Sequence, residues 1–173
     1  MKTKNLYHPL MHNNFSNDDI NKVVNFLKNN KSKILTQSKK VKEFEKKWSK
    51  WLGGKYSIFV NSGSSANLLT ILALKIIYGK GEIIVPSLTW ISDIASVIQN
   101  NFKPVFVDIN PRNLCMEESQ IIKKINKNTK AVFISHIQGF NGLSNKLIRF
   151  LKEKKIVLLE DVCESHGATF NGK

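Results

Sequence analysis

The chain has 173 residues, 42% of them hydrophobic, which is enough for one complete core and too little for two full domains. Its amino terminus lacks the apolar segment of a signal peptide, and its longest apolar tract is too short to cross a bilayer, so we expect a soluble protein. Its two cysteines form no CxxC pair, so we expect no disulfide framework and a cytoplasmic location. The formal charge of +14 would suit a nucleic-acid-binding protein, but only Arg112 and Arg149 of the 27 basic residues are arginines, on which base recognition depends. We therefore expect no nucleic-acid partner, although a basic surface helps to attract an anionic substrate.

Two amphipathic helices are predicted ahead of the first strand. After an irregular arm over residues 1–15, Ser16 can cap a helix, and Asp19 stands three residues on, in the position of a capping box. Apolar residues then recur at i, i+3, i+4 and i+7, which makes one apolar face. A second helix is predicted over residues 39–52, and the glycine pair that follows ends it.

The remaining chain alternates short apolar runs with helical stretches. Strands are predicted over residues 56–60, 82–85, 104–108, 130–135 and 156–161, and helices over residues 64–78, 89–100 (with Thr89 as its cap), 117–125 and 144–154. This alternation predicts the α/β class, with a mostly parallel sheet flanked by helices on both faces. Ligands of such sheets bind outside the carboxyl ends of the strands, so those ends are the places to look for chemistry.

The first strand end, residues 61–67, is small, polar and glycine-containing, and it opens a helix. Free N–H groups and the helix dipole there favour an anion such as a phosphate. The segment matches neither the Walker pattern nor GxGxxG, and it lacks the GxSxG of serine hydrolases. The alternative interpretation is an ordinary strand-to-helix turn with a serine cap.

Two further strand ends carry candidate side chains. Trp90 follows the strand over residues 82–85 and could stack on a planar ring, or it could be a core residue. Asp161 ends an apolar strand, where a carboxylate is costly unless it is paired. A protonated pyridine nitrogen is one suitable partner, and a helix cap or a structural salt bridge is the alternative. A phosphate cradle, a stacking ring and a pyridinium partner are three separate requirements of one cofactor, pyridoxal 5'-phosphate (PLP).

The chain also resembles the DegT/DnrJ/StrS family of PLP-dependent sugar aminotransferases, from about Ser16 to its last residue. The similarity is carried by four stretches: SGSSANLL at residues 62–69, EIIVPSLTW at 82–90, PVFVDI at 104–109 and EDVCESHGATF at 160–170. The resemblance implies the aspartate-aminotransferase fold (fold type I), with residues 16–173 forming the N-terminal, incomplete part of the PLP-binding large domain. It also implies a homodimer for the complete protein.

The resemblance further assigns the cofactor contacts and the chemistry. The implied cofactor-binding residues are Gly63, Ser64 and Ser65 at the phosphate, Trp90 on the pyridine ring, Asp161 at the ring nitrogen and Glu164 near the phenolic oxygen. Asp161 and Glu164 are the implied catalytic residues, His136 is expected to face the cofactor, and no metal is expected. The implied reaction transfers an amine from an amino-acid donor to a nucleotide-linked keto-sugar, in polysaccharide, lipopolysaccharide or deoxysugar biosynthesis.

Two features depart from the aminotransferase pattern. Relatives usually have Gln where this chain has Glu164, and a carboxylate there resembles the nucleotide-sugar 3-dehydratase branch, so a PLP-dependent 3-dehydratase is the alternative function. The chain is also about half as long as members of the family. The lysine that carries the cofactor covalently, or the histidine that replaces it in dehydratases, is expected beyond Lys173, which we place in a surface turn. We therefore expect this segment alone to be inactive and poorly stable.

Overall fold

The computed structural model describes residues 13–31 and 34–172. Within these ranges the helices are α1 (Asn17–Asn29), α2 (Lys39–Leu52), α3 (Gly63–Tyr78), α4 (Ile91–Gln99), α5 (Glu118–Lys124) and α6 (Asn145–Lys154), with a 3-10 turn at Ile137–Gly139. The strands are β1 (Glu82–Pro86), β2 (Lys103–Val107), β3 (Thr129–Ser135) and β4 (Val157–Asp161). None of the described helices combines the length and the apolar character that a bilayer span requires.

The four strands form one parallel sheet in the order β2-β1-β3-β4. In its register Pro86 is the partner of Val107, and Ser135 is the partner of Asp161. The carboxyl ends of all four strands therefore meet at one edge of the sheet, which is where a parallel sheet places its ligands. This arrangement confirms the predicted α/β class.

Helices cover both faces of the sheet, because successive strand residues point in opposite directions. Ile83 and Val85 of β1 face one core, which α3 and α4 cover, whereas Ile84 between them faces a second core under α5 and α6. All three side chains have no exposed surface, and each such burial contributes about 1.5–3 kcal/mol. The two cores, one on each face, hold the sheet and therefore the strand ends in place.

The predicted helix signals at the start of the chain are confirmed. The Ser16 side chain accepts a hydrogen bond from the backbone of Asp19, and the Asp19 carboxylate accepts one from the backbone of Ser16, so the capping box is complete. Helix α2 spans the predicted residues and ends at Gly53, whose φ of 75° lies in the left-handed region that favours glycine. The predicted arm before Ser16 and the turn at Lys173 lie largely or wholly outside the described residues.

The predicted strand over residues 56–60 is wrong. The segment pairs with none of the described strands, and the backbone N–H of Phe59 is bonded instead to the Glu45 carboxylate at 2.9 Å. An apolar cavity of about 520 Å³ is lined by Ile58 and Val60 on one side and by Leu159 of the edge strand β4 on the other. The segment has the composition of a strand, but a strand also needs a neighbouring backbone, and none of the described residues supplies one.

Thr89 does not cap α4, contrary to the prediction. The helix begins at Ile91, Trp90 occupies the capping position without a side-chain hydrogen bond, and the Thr89 hydroxyl bonds the Asp93 carboxylate instead. The turn before α4 is therefore held by a contact between side chains one helical turn apart. This shift brings Thr89 into the site described below.

Candidate active site

A cavity of about 570 Å³ opens at the carboxyl edge of the sheet, within the usual size range of small-molecule sites. It is bounded by the amino-terminal turn of α3, the β1–α4 connection, the end of β3 with its 3-10 turn, and the segment after β4. Its lining residues are Gly63, Ser64, Asn67, Leu88, Thr89, Trp90, Ser92, Asp93, Ser135, His136, Ile137, Gln138, Asp161, Cys163 and Glu164. Five of the six predicted site residues are thus brought together, and Ser65 is the exception.

The first turn of α3 presents hydrogen-bond donors to this cavity. Ser62 is the helix cap, and its hydroxyl accepts the N–H of Ser65 at 3.2 Å, so Ser65 serves the turn and not the cavity. The N–H groups of Gly63 and Ser64 and the Ser64 hydroxyl have no partner within residues 13–31 and 34–172, and nothing lies within 4 Å of the position a Gly63 side chain would take. Three free donors at a helix amino terminus are a suitable cradle for an anion.

Trp90 stands at the rim of the cavity. Its side chain is 71% exposed, so the alternative that it is a core residue is contradicted. A large aromatic side chain with that much free surface beside a cavity offers a face on which a planar ligand can stack.

Asp161 lies at the end of β4, on the cavity floor and half-buried. One carboxylate oxygen accepts the N–H of Cys163 at 3.0 Å, and the other accepts the side-chain amide of Asn67 at 3.3 Å. Burial alone would raise the pKa of Asp161, but these donors outweigh it, and its pKa lies below the ordinary value. Asp161 is therefore an anion prepared to meet a positively charged group.

Glu164, in the segment after β4, contacts the turn after β3, and both lie in the cavity wall. Its carboxylate accepts the backbone N–H of Gln138 at 2.7 Å. Gln138 has a φ of 52°, in the left-handed region that costs a non-glycine residue free energy. The contact therefore links the two segments and stabilises an unfavourable backbone conformation.

His136 lines the cavity, and both of its ring nitrogens have partners. Nε2 lies 2.9 Å from a Glu160 carboxylate oxygen, and Nδ1 accepts the N–H of Gly142 at 3.2 Å. Nδ1 also lies 3.3 Å from the carbonyl oxygen of Phe140, so both ring nitrogens are held by neighbouring groups. This buried imidazole connects the ends of β3 and β4 and supports the cavity wall.

A group of buried polar side chains beneath Asp161 was not identified from the sequence. Asn67 donates to Asp93 at 2.7 Å as well as to Asp161, and Oδ2 of Asp93 also lies at hydrogen-bonding distance from the Ser135 hydroxyl, at 2.6 Å, and from the Thr89 hydroxyl. Asp93 is only 1% exposed. The available sequence signal was an acidic residue within the otherwise apolar stripe of α4.

The cavity combines groups of three kinds. Helix α3 supplies free N–H and hydroxyl donors, the end of β4 supplies an anionic carboxylate, and Trp90 supplies an exposed indole. A flat ligand that carries both an anionic group and a cationic nitrogen suits this combination. Across residues 13–31 and 34–172, no cluster of His, Cys, Asp and Glu side chains could hold a metal ion.

Comparison with known proteins gives relatives with sugar-nucleotide chemistry. GDP-4-keto-6-deoxy-D-mannose 3-dehydratase of Escherichia coli O55:H7 is 37% identical over 147 residues, covering 82% of this chain and 38% of that protein. GDP-perosamine synthase of Caulobacter vibrioides is 34% identical over 132 residues, covering 76% of this chain and 35% of that protein.

A solved structure described as Escherichia coli GDP-4-keto-6-deoxy-D-mannose-3-dehydratase with bound hydrated PLP matches with a TM-score of 0.86 at 34% identity, over 96% of this chain and 43% of that one. The chain thus spans between 35% and 43% of the length of these three relatives. The family model for the DegT/DnrJ/EryC1/StrS aminotransferases matches residues 13–173. The chain therefore belongs to the DegT/DnrJ/EryC1/StrS aminotransferase family.

Proposed function

We propose that the complete protein containing this chain is a PLP-dependent enzyme that acts on a nucleotide-linked keto-sugar, and that its reaction is amine transfer from an amino-acid donor. The observation that carries the proposal is the convergence of Ser64, Trp90 and Asp161 on one cavity at the carboxyl edge of the sheet. Each of the three side chains alone has an ordinary structural explanation. Together they supply a donor for the phosphate, a face for the ring and an anion for the ring nitrogen of PLP.

The residues present fit this cofactor on their own chemistry. The free N–H groups of Gly63 and Ser64 and the Ser64 hydroxyl would hold the phosphate, and the Trp90 face would cover the ring. Ser65, whose backbone N–H is already used by Ser62, would contribute through the shape of the turn. Bound PLP supplies an electron sink that stabilises negative charge developing on a carbon of the substrate.

Asp161 would keep the ring nitrogen protonated. A carboxylate that is already ionised, held by the Cys163 N–H and the Asn67 amide, needs no reorganisation to pair with a pyridinium proton. Glu164, anchored to the Gln138 backbone, would lie at the opposite side of the ring, near the phenolic oxygen. The two carboxylates would thus orient the ring from two sides.

The substrate class rests on the relatives. Both relatives named above act on, or make, GDP-linked sugars according to their names, and both are at least 34% identical to this chain over more than 70% of its length. The formal charge of +14 is compatible with an anionic substrate such as a sugar nucleotide. Polysaccharide or deoxysugar biosynthesis is the setting that this substrate class implies.

A second candidate function is dehydration at carbon 3 of the sugar, without amine transfer. Glu164 favours this function, because a carboxylate at this position resembles the dehydratase branch. The 37% identity to a 3-dehydratase favours it as well. The two reactions share Asp161, Trp90 and the phosphate cradle. By the family resemblance they differ in one residue at the cofactor, which is a lysine for transfer and a histidine for dehydration.

The test uses the complete natural protein, PLP, glutamate and a GDP-linked 4-keto-6-deoxy sugar, with the sugar product analysed by mass spectrometry. Amine transfer replaces the keto oxygen with an amino group, whereas dehydration removes the elements of water. In parallel, borohydride reduction of the holoenzyme followed by denaturing mass spectrometry shows whether the cofactor is attached to a lysine. Retention of PLP without either product would contradict the substrate class, and failure to retain PLP would contradict the cofactor.

A further inference from the structure

Asp93 is a buried acid that the proposed reaction does not use. Its side chain is 1% exposed, it lies in the first turn of α4, and no cation contacts it among the described residues. A buried, unpaired carboxylate is costly, and a second carboxylate, Asp161, belongs to the same hydrogen-bonded group. Since no cation among the described residues neutralises Asp93, another source of neutralisation is needed.

The oxygens around Asp93 indicate where a proton must be. The Oδ2 atom of Asp93, the Thr89 hydroxyl and the Ser135 hydroxyl form a closed triangle, in which Ser135 lies 2.6 Å from Asp93 and 2.5 Å from Thr89, and Thr89 also contacts Asp93. Three oxygen–oxygen contacts at hydrogen-bonding distance need three protons. The two hydroxyls supply two of them, and an ionised Asp93 would leave one pair of oxygens facing each other with lone pairs only.

A proton on Oδ2 of Asp93 completes the triangle, because each oxygen then donates once and accepts once. The other carboxyl oxygen, Oδ1, is the carbonyl oxygen and accepts the amide of Asn67 at 2.7 Å. The same amide nitrogen donates to Asp161 at 3.3 Å. The Asn67 amide therefore donates to one neutral carboxylic acid, Asp93, and to one carboxylate anion, Asp161.

We propose that Asp93 is a positioning residue that is protonated at neutral pH, and that as a neutral acid it orients Asn67 and leaves Asp161 as the single negative charge facing the cofactor ring. The role toward the ring rests on the proposed function, but the protonation of Asp93 does not. An ionised Asp93 would compete with Asp161 for the Asn67 amide and would place two anions on one donor.

The electrostatic surroundings agree with this assignment. Burial raises the pKa of Asp93 above its ordinary value, against the lowering by its Ser135 and Thr89 hydrogen bonds, and the charge of Asp161 raises it further. The titratable groups that face Asp93 are Asp161 at the end of β4 and the Cys163 thiol two residues on. Neither group can supply a compensating positive charge.

Infrared difference spectroscopy tests the proton directly. The complete natural protein is compared at pH 7 with its D93N variant, without cofactor, and with protein carrying carbon-13 in the aspartate carboxyl group. We expect the carbonyl band of a neutral carboxylic acid that shifts with the label and is absent from D93N. If the wild-type protein shows only ionised carboxylates in the labelled bands, Asp93 is not protonated and the proposal is overturned, whether or not PLP binds.

The positioning role is tested by PLP affinity in two variants. D93N replaces the neutral acid with a neutral amide of the same shape, and we expect its dissociation constant to stay close to that of the wild type. D93L removes the partners of Asn67, Thr89 and Ser135, and we expect affinity to fall by about 5- to 100-fold. A loss in D93N as large as that in D93L would show that the charge of Asp93 is needed, which contradicts the proposal. Should D93L not fold, the D93N result and the band of the labelled wild type decide the question.

Discussion

The side-chain amide of Asn67 lies 3.3 Å from the carboxylate of Asp161, although the two residues are 94 positions apart in the chain. The contact joins the first turns of α3 to the end of β4. It links the helix that would hold a phosphate to the acid that would hold the ring nitrogen.

Replacing Asn67 with alanine is predicted to weaken both the fold and the site. The buried carboxyl group of Asp93 and the half-buried one of Asp161 would each lose a donor, which we expect to lower the free energy of unfolding by about 1–3 kcal/mol. Urea unfolding of the complete protein measures this change. The control is N128A, an exposed asparagine remote from the cavity, which we expect to change stability by less than about 0.5 kcal/mol. Equal effects in the two variants would contradict the role given to Asn67.

Asp161→Asn is predicted to weaken PLP binding by about 10- to 100-fold, because a neutral amide cannot replace a charge-assisted hydrogen bond to the ring nitrogen. Equilibrium dialysis against PLP measures the change. Asp108 offers a matched control, since it also follows a strand at the carboxyl edge but does not line the cavity. We expect D108N to bind PLP as the wild type does, and a similar loss in both variants would show that the effect is not specific to the site.

Two serines of the α3 turn are predicted to separate stability from binding. Ser62→Ala removes the helix cap and is expected to cost about 0.5–2 kcal/mol of stability. Ser64→Ala removes a hydroxyl that has no described partner, so we expect unchanged stability and weaker binding of PLP. Thermal unfolding and PLP titration on both variants provide the comparison. If S64A lowers stability and leaves PLP affinity intact, the hydroxyl belongs to the fold and not to the phosphate cradle.

Trp90 is predicted to act through its ring face alone. Trp90→Ala should weaken PLP binding by about 2- to 10-fold, and Trp90→Phe should restore most of the loss. Because the side chain is 71% exposed, neither substitution should change the unfolding midpoint appreciably. PLP titration followed by absorbance measures the affinity, and a large loss of stability in W90A would show that Trp90 packs as a core residue.

Cys163 is predicted to be an unreactive thiol in spite of its position in the cavity. Desolvation and the neighbouring charge of Asp161 raise its pKa to about 11, so the reactive thiolate is scarce at neutral pH. The rate of its alkylation should keep rising as the pH increases from 8 towards 11, beyond the range where an ordinary thiol levels off. D161N removes one cause of the raised pKa of Cys163, so we expect faster alkylation of this variant at pH 8. An alkylation rate that levels off near pH 8.5 would contradict this prediction, and buried Cys115 serves as the internal comparison.

The sequence was sufficient to predict the sheet where the strands are buried on both faces. Short apolar runs rich in β-branched residues, such as the one containing Ile83, Ile84 and Val85, are typical of parallel strands buried on both faces. The same reasoning was wrong for residues 56–60, which are apolar in composition but have no strand beside them. Pairing depends on a neighbour elsewhere in the chain, and composition alone does not show whether that neighbour is present.

The site was predictable to the extent that its residues lie at strand ends. Asp161 and Trp90 stand beside buried strands, and the topology of a parallel sheet brings such positions together. Asp93 was missed because it lies within the first turn of α4 and not at a strand end, and its direction depends on how that helix packs on α3. Asn67 was within a recognised stretch, but its bridging role became visible only when Asp93 and Asp161 were found on either side of it.

The most direct test of this account is the amount of PLP that the complete natural protein retains after dialysis, measured beside its D161N variant. The account predicts about one PLP for each wild-type chain and a marked loss from D161N, since the carboxylate at the end of β4 would hold the ring nitrogen. A wild-type protein that retains no PLP, or a D161N variant that retains as much as the wild type, would contradict the proposed site.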